Sequence, residues 1–254
     1  MLPRPRKRFG QHFLTDRHYL ERIVASIAPT RGDSMVEIGP GTGLLTAELV
    51  PALAHLHVVE IDRDLAAGLR NRFPPSQVTV HEADALEFDF ASLPAPLRVA
   101  GNLPYNVSTP ILFRMAALAE RLVDCTFLLQ KEVVDRMAAR PGTPDYGRLS
   151  VMLQYRFAIS PLLDVPPGAF TPPPKVDSAV VRMAPLGPGR AVARDEARFA
   201  AVVSAAFSQR RKTLRNAART LVAAEAFASA GIDPTRRGET LSVAEFIALS
   251  DASA

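Results

Sequence analysis

The sequence predicts an α/β protein: a doubly wound, mostly parallel sheet over residues 1–187, followed by a small all-helical domain over residues 188–254. Between residues 35 and 130, short apolar runs typical of strands alternate with helical patterns, which indicates βαβ units. A glycine-rich turn follows the first of these runs, as in nucleotide-binding sheets. After a linker-like segment, APLGPGRAVARDE, the chain is alanine-rich and helical to its last residue.

The predicted strands of the first domain are the apolar runs MVEI, LHVVEI, VTVHEA, LRVAGN and CTFLLQ. A helical pattern, KEVVDRMAAR, and a turn, PGTPDYGR, come next. Two further runs, LSVMLQYRFAI and SAVVRMAP, are predicted to be strands that extend the sheet. The loop between them, VPPGAFTPPPKVD, contains five prolines and is expected to be extended and stiff, without regular hydrogen bonding. Ser242 and Glu245 have the spacing of a capping box for the last helix.

Composition excludes several classes of protein. With 48% hydrophobic and 22% charged residues among 254, the chain has the profile of an ordinary folded protein. No run approaches the ~18–20 apolar residues of a membrane span, and no apolar segment follows the basic start, so we expect a cytoplasmic protein. The single cysteine, Cys125, excludes a disulfide framework or a CxxC metal pair, and we expect it to be buried rather than reactive. We also expect no metal.

Positive charge is concentrated in two places, although the net charge is only +4. The first is the start of the chain, and the second is a stretch without acidic residues that contains Arg210, Arg211, Lys212, Arg215 and Arg219. Arg211, Arg215 and Arg219 recur every fourth residue, which predicts one stripe on a helix. Such a stripe is suited to following the phosphates of a nucleic acid, and the alternative is a solvated helix face.

The predicted cofactor site begins at the glycine turn. Gly39, Gly41 and Gly43 allow a tight turn and close approach of a ligand, but their GxGxG spacing differs from the GxGxxG of dinucleotide-binding enzymes. Glu60 is predicted at the end of the next strand, where a carboxylate can accept hydrogen bonds from ribose hydroxyls. Asp84 follows the third strand and can accept from an adenine amine. Together these features indicate a Rossmann-like class I methyltransferase that binds S-adenosyl-L-methionine.

The predicted catalytic turn is Asn102, Leu103, Pro104 and Tyr105, at the end of the fourth strand. The Asn102 amide oxygen and a nearby backbone carbonyl, aimed by Pro104, can accept the two hydrogens of an exocyclic adenine amine and expose its lone pair. The Tyr105 ring can stack on the base. Phe170, in the proline-rich loop, is the candidate for the opposite wall of the base pocket, with a structural phenylalanine as the alternative.

Taken together, these segments resemble the bacterial small-subunit ribosomal RNA adenine N6,N6-dimethyltransferases, the KsgA family. The resemblance rests on segments spread over most of the chain: RFGQHFL, VEIGPGTGLLT, GNLPYNVSTPI, LLQKEVVDRM and VPPGAFTPPPKVDSAVVR.

The resemblance implies that His12 and Leu14 join Gly39, Glu60, Asp84 and Asn102 around the cofactor, and that His12 replaces an expected asparagine. It also implies that two adjacent adenosines near the 3′ end of 16S rRNA are dimethylated during small-subunit maturation, and that a helical C-terminal domain docks on the subunit. We expect a monomer.

Two other functions stay open at this stage. One is a large-subunit ribosomal RNA adenine N6-methyltransferase of the erythromycin-resistance type, which also has an NLPY-like turn. The other is a non-catalytic RNA-binding assembly factor with the same fold. A DNA adenine methyltransferase is disfavoured because no separate domain for reading base edges is evident in the sequence.

Overall fold

The computed structural model describes residues 12–209 and 211–253. These residues form two compact units. The first consists of the described residues up to Val134 together with Ile159–Pro185, and the second consists of Asp135–Ala158 together with the described residues from Leu186 onward. The second unit therefore includes a segment, 135–158, that the sequence analysis assigned to the first domain.

A seven-stranded sheet forms the centre of the first unit. Its strands, in chain order, are β2 (Ser34–Ile38), β3 (Leu56–Glu60), β4 (Val78–Glu82), β5 (Leu97–Asn102), β6 (Leu122–Gln130), β7 (Phe157–Val165) and β9 (Ser178–Pro185). Their order across the sheet is β4-β3-β2-β5-β6-β9-β7. The pairs from β4 to β6 are parallel and β9 runs antiparallel to β6. The strand order reverses between β2 and β5, the place where such sheets bind ligands, so the predicted doubly wound fold is confirmed.

Three helices connect parallel strands: α2 (Leu44–Leu49), α3 (Arg63–Arg72) and α4 (Ser108–Ala117). Two more flank them, α1 (Arg17–Ile27) before β2 and α5 (Lys131–Ala138) after β6. Asp16 caps α1 and Asp62 caps α3, each accepting a hydrogen bond from a backbone N–H of the first turn. The core on the α1 and α2 side contains Leu20, Ile23 and Val58. Cys125 is fully buried, as expected.

The structure corrects two predictions about local structure. LSVMLQ is not a strand but lies in a helix, α6 (Arg148–Gln154). The prediction failed because a short apolar run has no hydrophobic periodicity that distinguishes a buried helix from a buried strand. The proline-rich loop does contain regular hydrogen bonding: β8 (Phe170–Thr171) pairs antiparallel with β1 (Phe13–Leu14). Both residues of β8 keep a backbone N–H, which the prolines beside them lack.

The second unit is helical, with α6, α7 (Glu196–Ser208), α8 (Leu214–Ala217), α9 (Ala224–Ser229) and α10 (Val243–Ala252). The rings of Tyr146, Phe199, Phe227 and Phe246 lie in its core. The predicted capping box is confirmed: Ser242 and Glu245 bond to each other's backbone N–H. No helix formed by residues 12–209 or 211–253 is long and apolar enough to cross a membrane.

The predicted helical stripe of arginines is corrected, because α8 has only four residues. Arg215 lies on it, whereas Arg211 and Arg219 lie in the turns before and after it. The first two N–H groups of α8 donate to the backbone carbonyls of Arg236 and Pro234, in a later loop. They do not bond to a preceding turn of helix, so α8 does not continue an earlier helix. Arg210 lies outside the described residues.

Candidate functional site

A cavity opens at the carboxyl ends of β2, β3, β4, β5 and β6 in the first unit. It brings together most of the predicted site residues. The ones that line it are His12, Leu14, Gly39, Gly41, Glu60, Asp84, Asn102, Leu103, Pro104 and Tyr105. Because parallel strands all end at the same edge, residues that follow different strands meet here.

The glycine turn has the backbone conformation that its sequence predicts. Gly39, Gly41 and Gly43 all have positive φ, at 68°, 59° and 74°. At Gly43 a side chain would also collide with the core, since a Cβ there would lie 2.7 Å from Leu69 Cδ2. The turn therefore needs glycine for its shape and for its packing.

Glu60 is the last residue of β3, and its carboxylate is held by the backbone around it. Gly41 N donates to Oε2 at 3.0 Å and Asp62 N donates to Oε1 at 2.9 Å. Burial raises the pKa of Glu60, and these two N–H groups oppose the rise. Each oxygen has a second lone pair, so the carboxylate can still accept hydrogen bonds from a ligand.

Asp84 follows β4 and is partly buried at the edge of the cavity. Its Oδ1 accepts from Leu86 N at 2.8 Å. This bond orients the carboxylate and leaves Oδ2 available to a ligand, as the adenine contact requires.

Asn102 is the last residue of β5, and its amide is oriented by a residue 90 positions earlier in the chain. Its Nδ2 donates to the His12 backbone carbonyl at 2.9 Å, which leaves Oδ1 as an acceptor for a ligand. The turn after it is fixed by two backbone bonds, Leu103 N to Leu128 O at 3.2 Å and Val107 N to Pro104 O at 3.1 Å.

Tyr105 presents a half-buried ring with an anchored hydroxyl. The hydroxyl lies 2.7 Å from Ser178 Oγ, and burial raises its pKa. The His12 ring stacks on it, with centroids 5.6 Å apart and an interplanar angle of 26°. His12 thus covers one face of the ring, and only the other face is left for a base.

The His12 side chain has a defined tautomer in this geometry. Its Nδ1 lies 2.8 Å from the Pro172 carbonyl oxygen, and since a carbonyl only accepts, Nδ1 carries the hydrogen. In the neutral ring Nε2 is then an acceptor. At the position where the resemblance implies an asparagine, His12 therefore provides a polar side chain in this part of the cavity and a ring beside Tyr105.

The structure does not place Phe170 among the residues that line the cavity, so its position in the wall of the base pocket stays a prediction. Its side chain is 3% exposed and belongs to a core cluster with Leu14 and Val165. Phe170 is paired directly with Leu14, which does line the cavity. What the proline-rich loop brings to the site is the Pro172 carbonyl that holds His12.

Sequence reasoning missed two buried polar residues that line the cavity. Glu37, on β2, is 1% exposed and accepts a hydrogen bond from Thr46 Oγ1 at 2.6 Å. Burial raises its pKa to about 8. Thr126, on β6, is 3% exposed, and its hydroxyl has no partner among the described residues. A charged residue inside the apolar run MVEI was the available signal for Glu37. No sequence signal marks Thr126.

The fold and the site define a class of protein. A doubly wound sheet with a glycine turn, two acidic side chains and an Asn-Leu-Pro-Tyr turn at the ends of its strands is the arrangement of the class I methyltransferases. The family model for ribosomal RNA adenine dimethylase matches residues 3–254, and the chain belongs to this family. It is therefore an enzyme of the ribosomal RNA adenine dimethyltransferase class, with S-adenosyl-L-methionine as its cofactor.

Known proteins resemble the chain over nearly its full length. It is 59% identical over 248 residues to the ribosomal RNA small subunit methyltransferase A of Aromatoleum aromaticum, covering 98% of this chain and 94% of the relative. The protein of the same name from Laribacter hongkongensis is 57% identical, with coverage of 97% and 95%.

Two solved structures share the fold. A dimethyladenosine transferase from Plasmodium falciparum has a TM-score of 0.80 at 23% identity, over 94% of this chain and 96% of that one. The 23S rRNA methyltransferase ErmE has a TM-score of 0.73 at 25% identity, over 95% of this chain and 99% of that one.

Proposed function

We propose that this enzyme dimethylates N6 of two adjacent adenosines near the 3′ end of 16S rRNA, in the small ribosomal subunit. The choice of the small subunit rests on the relatives that share 59% and 57% of their residues with the chain and are named small subunit methyltransferases. The large-subunit 23S rRNA methyltransferase compared above is a structural match at 25% identity, well below these two relatives. The observation that supports the chemistry best is the Asn102 amide, held by His12 with its oxygen free to accept.

The difficulty of the reaction is the target amine, whose lone pair is delocalised into the adenine ring. We propose that, in the first transfer, Asn102 Oδ1 and the Leu103 carbonyl each accept one amine hydrogen, which brings the nitrogen toward a tetrahedral geometry. The Leu103 carbonyl is the better candidate because that of Pro104 already accepts from Val107 N. In the second transfer the monomethylated amine has one hydrogen left, and either Asn102 Oδ1 or the Leu103 carbonyl holds it. The free face of Tyr105 stacks on the base. When bound, the cofactor supplies the methyl group from its sulfonium, with neutral S-adenosyl-L-homocysteine as the leaving group, and the methylated amine then releases its proton to solvent.

The described residues fit that cofactor. Glu60 retains lone pairs for the ribose hydroxyls, and Asp84 retains Oδ2 for the adenine amine. Gly39 and Gly41 admit the ligand close to the backbone. His12 and Leu14 complete the set in the proposal. The Thr126 hydroxyl, buried and unpaired among the residues that the structure describes, also lines the cavity and suits a ligand with polar ends.

We further propose that the second unit contacts RNA. Arg211, Lys212, Arg215 and Arg219 are all exposed, although they do not form one helical stripe. Exposed cations that follow phosphates need not share a helix, because the attraction depends on charge and distance. An enzyme acting on ribosomal subunits works where they are assembled, so a cytoplasmic location is part of the proposal. Action as a monomer stays a prediction from the sequence.

The test is single-turnover methylation of undermethylated small subunits, with large subunits as the competing substrate. We expect wild-type protein to transfer up to four methyl groups per small subunit and none to large subunits. Asn102→Ala should lower the rate by at least about 100-fold, because positioning of a weak nucleophile carries several kcal/mol of the barrier. Its melting temperature and affinity for S-adenosyl-L-homocysteine serve as controls for the fold. Wild-type turnover by Asn102→Ala, or methylation of large subunits alone, would contradict the proposal.

A further inference from the structure

The Thr126 hydroxyl is unusual among the buried polar atoms of the first unit. The residue is 3% exposed, lines the cavity, and has no hydrogen-bond partner among the described residues. Its cross-strand neighbour on β9, Arg182, is not available to it, because that guanidinium pairs with Asp124 at 2.6 Å. Leaving a buried hydroxyl unpaired costs roughly 1–3 kcal/mol, so such a group is expected to have a partner when the protein works.

The register of the sheet places Thr126 in a row with the other buried polar group of the cavity. Glu37 on β2 is paired with Ala100 on β5, and Ala100 with Thr126 on β6. Residues in register on neighbouring strands point to the same face. One step further along the strands, Ile38 and Gly101 lead to the glycine turn and to Asn102. The Glu37–Ala100–Thr126 row therefore forms a polar floor beneath the catalytic turn, with only a methyl group at its centre.

The order of the strands indicates which part of a ligand reaches this floor. In the proposed function, on which this step rests, the nucleoside contacts Glu60 at the end of β3 and Asp84 after β4. Since the sheet runs β4-β3-β2-β5-β6, an extended ligand that starts there points its other end toward β5 and β6. For S-adenosyl-L-methionine, that other end is the amino acid, with an ammonium and a carboxylate.

We propose that Thr126 is a cofactor-binding residue whose hydroxyl hydrogen-bonds the amino-acid end of S-adenosyl-L-methionine, directly or through one bridging water. A hydroxyl suits either group, because it donates to a carboxylate and accepts from an ammonium. A bridging water would transmit the interaction nearly as well as direct contact. The Thr126 hydroxyl is then a specificity element for ligands that carry the amino acid.

The experiment compares two probes by calorimetry on the full chain. S-adenosyl-L-homocysteine carries the amino-acid end, and 5′-methylthioadenosine keeps the nucleoside and sulfur but lacks it. Thr126→Val removes the hydroxyl with little change of shape, and Thr126→Ser keeps it. We expect Thr126→Val to lower the affinity for S-adenosyl-L-homocysteine by about 3- to 10-fold, as for the loss of one hydrogen bond. The affinity for 5′-methylthioadenosine should stay within about twofold of the wild-type value. Thr126→Ser should bind both probes like the wild type.

Two results would overturn the inference. If Thr126→Val left both affinities unchanged, the hydroxyl would have no ligand partner. If it weakened both probes equally, the cavity would have been distorted as a whole. The melting temperature of Thr126→Val, measured without either probe, checks for such a distortion, since removal of an unpaired buried hydroxyl should not lower it. Failure of the wild-type protein to bind either probe would instead overturn the proposed cofactor site, and this inference with it.

Discussion

Glu37→Gln should stabilise the protein, and increasingly so as the pH rises. Glu37 is buried on β2, and desolvation raises its pKa from 4.5 to about 8, with a contribution from the nearby Glu60. Between these two pH values the folded state holds a proton that the unfolded state has released, so stability falls as the pH rises through this window. Glutamine has the same shape, can still accept the hydrogen bond from Thr46, and has no proton to lose.

The magnitude follows from the pKa. A rise from 4.5 to about 8 corresponds to about 5 kcal/mol at about 1.4 kcal/mol per pH unit, as an upper bound. The advantage of Glu37→Gln should therefore be small near pH 4.5, about 2 kcal/mol at pH 6, and constant above pH 8.

Urea unfolding of the wild type and of Glu37→Gln at pH 5.0, 6.5 and 8.0 measures this advantage. The contributions of the other titrating groups cancel in the difference between the two free energies of unfolding. Glu48→Gln, on the exposed side of α2, is the matched control and should show no such trend. A difference for Glu37→Gln that does not depend on pH would refute the reasoning.

Three further substitutions test the geometry of the site. Gly101→Ala would place a Cβ 2.2 Å from the Ile38 carbonyl oxygen, so we expect a lower melting temperature and loss of cofactor binding. The control is Gly68→Ala, in open space on α3, which should lower neither the melting temperature nor the affinity for the cofactor. Normal cofactor binding by Gly101→Ala would contradict the strand register. Tyr105→Phe keeps the stacking ring and loses only the hydroxyl anchor, so single-turnover rates should fall less than about tenfold, and a loss as large as that of Asn102→Ala would assign the hydroxyl a chemical role. His12→Asn should retain most activity, because the carbonyl that orients the catalytic amide belongs to the backbone; abolished transfer with intact cofactor binding would show that the imidazole itself is needed.

The parts of the fold and site that the sequence predicted are those encoded locally. Each parallel strand is an apolar run followed by a turn, and Glu60 and Asn102 end such runs, so their meeting at one edge follows from the parallel arrangement. The error at α6 came from a short buried run that reads equally well as helix or strand. The prediction of one arginine stripe failed because the first N–H groups of α8 bond to carbonyls of a loop some 20 residues later. Sequence periodicity contains no information about such a long-range contact.

The residues that complete the site depend on longer-range contacts. The bond between the Asn102 amide and the His12 carbonyl joins residues 90 positions apart. Thr126 is an ordinary strand residue until the sheet register places it beneath the catalytic turn. Phe170 is paired with Leu14, a long-range contact that the prolines around it obscured.

The pairing of β1 with β8 also determines when the enzyme becomes competent during synthesis. Besides the two strand pairs, Thr15 and Asp16 donate backbone hydrogen bonds to the Ala169 carbonyl, and His12 bonds to Pro172. All these partners are made about 150 residues later than the segment they hold, and closing so long a loop is slow compared with local folding. The nascent chain can therefore assemble the strands around the glycine turn first, but Asn102 gains its orienting carbonyl only after the proline-rich loop has left the ribosome.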